Sequence, residues 1–167
     1  MRGRLLVVAM VVVALLSISS LVFPAITAFL SGSSAFGIRV RAAAGDYDVL
    51  RFAVEEVALC GGNEKVAAAL LHETCAARAG GSGVHLVWLM VSEGGCVDSV
   101  LVVASVDVMR GGEVVATSGG AIPITAVLPR PVDARRGAVH SIVLTVAVDV
   151  SDAKITPGDV TAEASVS

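Results

Sequence analysis

Residues that alternate between apolar and polar fill the second half of the chain, and this pattern constrains the fold more than any other feature. Between residues 84 and 167, several such segments are separated by glycine pairs or by turns that contain proline. In the segment 160–166, every second residue is valine or alanine and the residues between them are polar. Side chains of a β-strand point alternately to its two faces, so this period of two predicts half-buried strands.

Turn signals divide this part of the chain into the strands of a small all-β domain. Gly111-Gly112 and Gly119-Gly120 each mark a tight turn, and Pro123 suits a strand at the edge of a sheet. Seven strands at this spacing indicate a β-sandwich of the jelly-roll or immunoglobulin-like kind. The predicted strands cover residues 38–41, 84–92, 99–110, 113–117, 121–128, 139–150 and 160–166, with a loop over 129–137.

One inserted α-helix is predicted within this domain, over residues 63–79. Asn63 can cap its start, and the glycines at 80 and 81 end it. Its apolar stripe has helical spacing and consists of Val66, Ala67, Leu70, Leu71 and Cys75. The preceding segment 47–59 fits either a helix or a strand, and as a strand it needs a bulge at Glu55 and Glu56, where the alternation breaks.

The start of the chain is an uncharged apolar segment behind two basic residues. Arg2 and Arg4 precede it, and no further charged residue occurs before Arg39. This pattern is typical of a secretory signal, cleaved after Ala28 or after Ala35. The apolar segment is also long enough for a retained membrane anchor, because its 26 residues would measure about 39 Å as a helix.

The predicted domain organisation follows from this segment. Residues 1–30 are a signal peptide or an N-terminal hydrophobic anchor helix, residues 31–37 are a flexible tether of small residues, and residues 38–167 are the β-sandwich domain. The basic end stays on the cytoplasmic side of the membrane under either interpretation, so the domain is expected to be extracellular or at the cell surface.

The charge balance argues against nucleic acid as a partner. The chain has a formal net charge of −3, and phosphate binding needs a basic surface. Charged residues make up only 16% of the chain, which is typical of a domain that buries surface against neighbouring copies. The expected partners are therefore copies of the chain itself, and the membrane is contacted only through the N-terminal segment.

Three cysteines, Cys60, Cys75 and Cys96, are candidates for a disulfide, because thiols outside the cell tend to pair. We predict one bridge that involves Cys75, although the spacing also allows a bridge between the other two. A Cys3His zinc site that adds His72 is the alternative, but the chain lacks the usual C-x2-C pair.

No catalytic or cofactor motif stands out, and the chain is predicted not to be an enzyme. It contains neither G-x-S-x-G nor a glycine-rich phosphate loop. Loop aspartates could bind Ca2+, but they are more typical of solvated turns. These aspartates are Asp46, Asp48, Asp149, Asp152 and Asp159.

The order of segments along the chain resembles that of secreted surface-filament subunits. These segments are an apolar leader, a small-residue tether (31–37), a short strand (38–41) and terminal strands at 139–150 and 160–166. The resemblance is to the archaeal bundling-pilus and TasA-like group and, more loosely, to cannula proteins. It implies that an N-terminal strand of one subunit completes the sheet of the next, which makes the protein a homopolymer. It rests on architecture, since the phenylalanine-serine-aspartate start of the TasA-like group is absent.

Two alternatives remain open. The chain also resembles archaeal type IV pilins, which keep an apolar N-terminal helix, and Arg2-Gly3 looks like their cleavage pair. Arg4 and Pro24 depart from that pattern. The second alternative is an exported ligand-binding β-domain, which would need a polar pocket.

The predicted donor strand consists of Ile38, Arg39, Val40 and Arg41. Its alternation would place Ile38 and Val40 in the groove of a neighbouring subunit, while the two arginines stay in water. We therefore predict a structural subunit of an extracellular filament that polymerises by donor-strand addition.

Overall fold

A computed structural model describes Ile26 and residues 32–167, and this part of the chain is mostly β. Its nine strands are β1 (Ser34–Ala42), β2 (Val49–Gly61), β3 (Glu64–Arg78), β4 (Val84–Val91), β5 (Cys96–Arg110), β6 (Glu113–Thr117), β7 (Ile122–Asp133), β8 (Val139–Val148) and β9 (Val160–Val166). Two single 3-10 turns, Ala134–Arg136 and Pro157–Asp159, interrupt them.

The strands form two sheets that pack face to face. Sheet A has the order β4-β1-β8-β9, and sheet B has the order β3-β2-β5, with β6 and β7 pairing different parts of β5 on its far side. All neighbours are antiparallel except β1 and β8, which run parallel. The predicted all-β, two-sheet architecture is confirmed.

Alternating apolar residues build the core between the sheets, as the sequence predicts. The inward residues of β5 are all buried, namely Val100, Val102, Ala104, Val106 and Val108. Ile142, Leu144 and Val146 of β8 face them from sheet A. The period of two is therefore the pattern that buries apolar area on one face of each strand.

The predicted inserted helix over residues 63–79 is wrong, because this segment is strand β3. Gly62, with a φ of 62°, turns the chain so that β3 pairs along the whole of β2. Apolar residues occupy both odd and even positions here, which imitated a helical stripe, but mainly the odd positions such as Cys75 and Ala77 turn towards the core. Pairing with β2 outweighs the helix preference of alanine, since propensity is a weak prior in a packed domain.

The ambiguous segment 47–59 forms most of β2, and the bulge that a strand required is present. The pairing of β2 with both neighbours shifts between Val54 and Glu56, which leaves Glu55 out of register. On β3 the residues opposite this point are Leu71 and His72, and His72 has a φ of 49°. The bulge thus restores the alternation on the core side after two consecutive glutamates.

Several predicted boundaries shift. Residues 34–37, predicted as part of a flexible tether, belong to β1, and residues 129–131, predicted as a loop, lie within β7. The tight turn at Gly111-Gly112 is confirmed by the pairing of Arg110 with Glu113. Pro123 lies on β7, which pairs only with β5 and so forms an edge, as predicted.

The predictions for residues 1–30 lie outside the described residues, with the single exception of Ile26. They concern the signal peptide or anchor helix, its cleavage after Ala28 and the effect of Pro24. In the described part of the chain, no helix has the length and apolar character needed to cross a membrane. The second predicted cleavage point, after Ala35, falls inside β1.

Candidate functional site

Strand β1 is a central strand of sheet A and not an edge strand. It pairs parallel with β8 from Ala35 to Ala42 and antiparallel with β4 along most of its length. Backbone bonds continue at both ends, from the Ala35 N–H to the Ala138 carbonyl (3.0 Å) and from the Ala43 N–H to the Val146 carbonyl (2.8 Å). We call the space between β4 and β8 that this strand fills the β1 slot.

The inward side chains of β1 reach the centre of the core. Phe36 and Ile38 are 0% exposed and Val40 is 2% exposed, so the strand buries alternate side chains completely. Around Val40, the two sheets meet with no space that a water molecule could enter, and the other residues there are Phe52, Val102, Ile124, Leu144 and Val146. Removing β1 would therefore open an apolar groove along the interior of the sandwich.

The outward face of β1 changes character along its length. Arg39 and Arg41 are exposed, which confirms the wet face predicted for residues 38–41. Ala35 and Gly37, on the same face, are buried. The first half of the strand is therefore covered on both faces, and the second half only on one.

Trp88 and His85 of β4 cover the backbone of β1 at Gly37. A Cβ placed on Gly37 would lie 3.0 Å from Cη2 of Trp88 and 3.2 Å from Cε1 of His85, closer than ordinary van der Waals contact. The two rings lie 5.3 Å apart with a tilt of 35°. Burial lowers the pKa of His85, and the charge of Arg39 lowers it further.

A second aromatic contact lies on the opposite face of β1. The rings of Phe36 and His140 are stacked with their centroids 4.9 Å apart. Burial lowers the pKa of His140. Among the described residues, three buried polar atoms lack a hydrogen-bond partner, and they cluster in the strands of this slot: Ser34 Oγ, Trp88 Nε1 and His140 Nε2.

The segment between β1 and β2, residues 43–48, is held by polar contacts at one end of the sandwich. The Tyr47 hydroxyl donates to the Ala43 carbonyl (2.9 Å), and the Arg110 guanidinium binds the Asp46 carboxylate (2.7 Å). The Gly111 N–H donates to the Asp48 carboxylate (2.6 Å). The contacts of Asp46 and Asp48 face solvent and resist opening of the segment only weakly. Tyr47 is buried in the core, so its side chain is the main contact that must be released when the segment opens.

The three cysteines are free thiols. Cys60 lies opposite Ser99, while Cys75 lies opposite Phe52, eight residues earlier on β2. At about 3.3 Å per residue this separation is roughly 26 Å, far beyond the reach of a disulfide. The structure therefore gives no support to a bridge between Cys75 and Cys60 within one chain. Burial raises the pKa of Cys75 to about 11, and Glu73 adds to this shift.

The candidate metal ligands are dispersed. Within the described residues, no three histidine, cysteine or acidic side chains are grouped so as to hold a metal ion, which includes the zinc set of Cys60, Cys75, Cys96 and His72. Of the aspartates considered for Ca2+, Asp159 accepts hydrogen bonds from Thr156, and Asp46 and Asp48 accept those described above. These carboxylates stabilise turns.

Sequence reasoning found the second half of β1 and missed the first. It identified Ile38, Arg39, Val40 and Arg41 but assigned Phe36 and Gly37 to the tether. The signal was available, because Phe36 continues the alternation of Ile38 and Val40 backwards by two residues. The roles of Trp88 and His140 depend on which strands neighbour β1, which no local pattern reveals.

Comparison of the chain with protein-family models, curated proteins and solved structures finds no match.

Proposed function

We propose that the chain is a structural subunit of an extracellular filament or cell-surface assembly. In this assembly, β1 of one copy occupies the β1 slot of the next copy, so that the sandwich, of the immunoglobulin-like or jelly-roll kind, is completed in trans. The observation that carries the proposal is the position of β1. It is the first of the described strands, yet it is inserted between two other strands with its alternate side chains fully buried.

Exchange of this strand requires no new interface. The donated strand would make the same backbone bonds to β4 and β8 and fill the same groove as it does within its own chain, which is the general logic of domain swapping. Residues 43–48 would act as the hinge. Six extended residues span at most about 20 Å, which sets the distance between the body of a donor and the slot of its acceptor.

Head-to-tail donation leads to fibres, because each copy donates one strand and accepts one, and nothing in that relation closes the chain of subunits. The apolar leader behind Arg2 and Arg4 supports export before assembly. The low share of charged residues is consistent with a domain that buries surface against its neighbours.

A disulfide trap tests the proposal. Arg41 and Thr145 are paired across β1 and β8 on the outward face, where cysteines would lie within disulfide range. The natural cysteines are first removed by Cys60→Ser, Cys75→Ala and Cys96→Ser. Arg41→Cys with Thr145→Cys is then oxidised in preparations that electron microscopy shows to contain fibres.

Donation predicts a ladder of covalent oligomers on a denaturing gel without reductant. The matched control combines Arg41→Cys with Glu163→Cys, since Glu163 lies opposite Thr145 one strand further away and should not cross-link. A monomeric cross-linked band from fibres would contradict strand donation, and so would a protein that forms no fibres. Deletion of residues 36–43 should abolish the fibres.

A further inference from the structure

We propose that the β1 slot selects its occupant by one glycine and one aromatic residue, so that it accepts β1 of a second copy of this chain in a single register. The glycine is Gly37, which lies beneath Trp88 and His85, and the aromatic residue is Phe36, which stacks on His140. This inference rests on the proposed function and names the residues that determine its specificity.

The position of Gly37 in the middle of a central strand calls for an explanation. Glycine weakens a strand, and an interior glycine often marks a close approach of another group. Among the nine described strands, only β1 has a glycine away from its end. The close approach is that of the indole of Trp88, which lies directly across from Gly37 in the pairing of β1 with β4. Coverage by an aromatic ring compensates for the missing side chain.

Both contacts together define the register. A shift of β1 by two residues would bring Ala35 or Arg39 beneath the indole, and each of these residues carries a Cβ that would lie too close to the rings of Trp88 and His85 unless the rings moved. The same shift would move Phe36 away from His140 and replace it with Ser34 or Ile38. A shift by one residue would turn Phe36, Ile38 and Val40 out of the core. Only the observed register satisfies the two faces of the strand at once.

The Trp88 ring is half-buried, and it packs at a tilt against His85, which is exposed. Its Nε1 is buried without a hydrogen-bond partner among the described residues. Alanine at position 37 requires the ring to move by a few tenths of an ångström. Valine adds two further carbons in the same space, and overpacking of this size is destabilising.

The test uses four full-length variants: Gly37→Val, Trp88→Leu, the combination of both, and Arg51→Val as the control. Arg51 is an exposed residue of β2 in the other sheet, so valine there leaves β1 and the contacts of Gly37 unchanged. We expect Gly37→Val to reduce the folding equilibrium constant in urea by about tenfold or more. Trp88→Leu should remove most of this difference, because it opens the space above position 37.

Assembly provides the second measurement. A Gly37→Val subunit keeps a normal slot but carries a defective donor strand, so mixing it with the wild type should shorten fibres in proportion to its fraction. Trp88→Leu acceptors should restore growth on Gly37→Val donors, and Arg51→Val should leave fibre length unchanged.

The outcomes separate the two proposals. Fibres of equal length from all variants, together with equal stability in urea, would overturn the selection by Gly37 and leave strand donation intact. Coupling between positions 37 and 88 in a protein that stays monomeric throughout would overturn strand donation, and with it the second copy as the occupant of the slot.

Discussion

Phe36 and His140 lie directly opposite each other on the parallel strands β1 and β8, and their rings are stacked at 4.9 Å. The imidazole is partly buried, and this burial holds its pKa below the ordinary value. The strand that we propose to be exchanged is therefore held, at the buried Phe36, by an imidazole whose charged form is disfavoured by burial.

Stability should fall on acidification because of this histidine. Its pKa is lower in the folded protein, so the unfolded chain binds the proton more readily. The contribution of the neutral imidazole to the free energy of unfolding is therefore complete above about pH 6.5, and it is lost as the pH falls through the lower pKa of the folded state. We expect the urea midpoint to decrease between pH 7.5 and pH 5.0. His85, whose pKa is also lowered, should add to the decrease.

The matched variant for this effect is His140→Phe, which keeps a stacked ring and removes the titration. Its urea midpoint should depend less on pH over the same interval. The acids with lowered pKa values, Asp98, Asp133 and Asp159, remain charged there and do not contribute. Equal midpoints at both pH values in the wild type would contradict the prediction.

The two faces of β1 should differ sharply in their sensitivity to truncation. Ile38→Ala removes a completely buried side chain and should lower the free energy of unfolding by about 2–5 kcal/mol. Arg41→Ala, on the exposed face of the same strand, should change it by less than about 0.5 kcal/mol. Urea denaturation followed by tryptophan fluorescence measures both, and a similar loss in both variants would show that the strand is not inserted as described.

The three thiols should react in the order of their exposure. Cys96 is exposed, Cys60 is partly buried, and Cys75 is buried with a pKa of about 11, so little thiolate is available at Cys75 in the folded state. Alkylation of the native protein at pH 8, followed by mass spectrometry, should modify Cys96 first and Cys75 only after urea is added. Rapid labelling of Cys75 without urea would contradict the placement of β3.

At the bulge where β2 pairs with β3, two substitutions of His72 should change the stability of the domain in opposite directions. His72 has a φ of 49°, where side chains cost about 1–2 kcal/mol. His72→Gly should therefore stabilise the domain by about 0.5 kcal/mol, once the greater freedom of glycine in the unfolded chain is subtracted. His72→Val should destabilise it by about 1–3 kcal/mol.

The control for the bulge is Thr74→Val, two residues further along β3, where φ is not positive. Valine favours ordinary strand positions, so this variant should be neutral or slightly stabilising. Thermal unfolding monitored by circular dichroism suffices for the comparison. If valine is tolerated equally at positions 72 and 74, the left-handed backbone at His72 is incorrect.

The sequence by itself determined the class of the fold and the two faces of many strands. A period of two residues is a local property of the backbone, so the buried face of residues 139–148 and 160–166, and the inward direction of Ile38 and Val40, could be predicted without knowing any neighbour. The turn at Gly111-Gly112 and the bulge near Glu55 are local for the same reason.

Only the tertiary structure decided what depends on pairing between distant segments. Residues 64–78 have a composition that suits a helix, and they form a strand because β2 offers hydrogen bonds along its whole length. Likewise, the central position of β1 depends on β8, about a hundred residues away. The reason for a glycine at position 37 is the close approach of the Trp88 ring, which the sequence around Gly37 does not show. The local preference of a residue for helix or strand amounts to a fraction of a kcal/mol. The burial and pairing of a whole strand add up many stabilising contacts and therefore outweigh that preference. The residues that make these contacts lie far away in the sequence, so no local pattern reveals them.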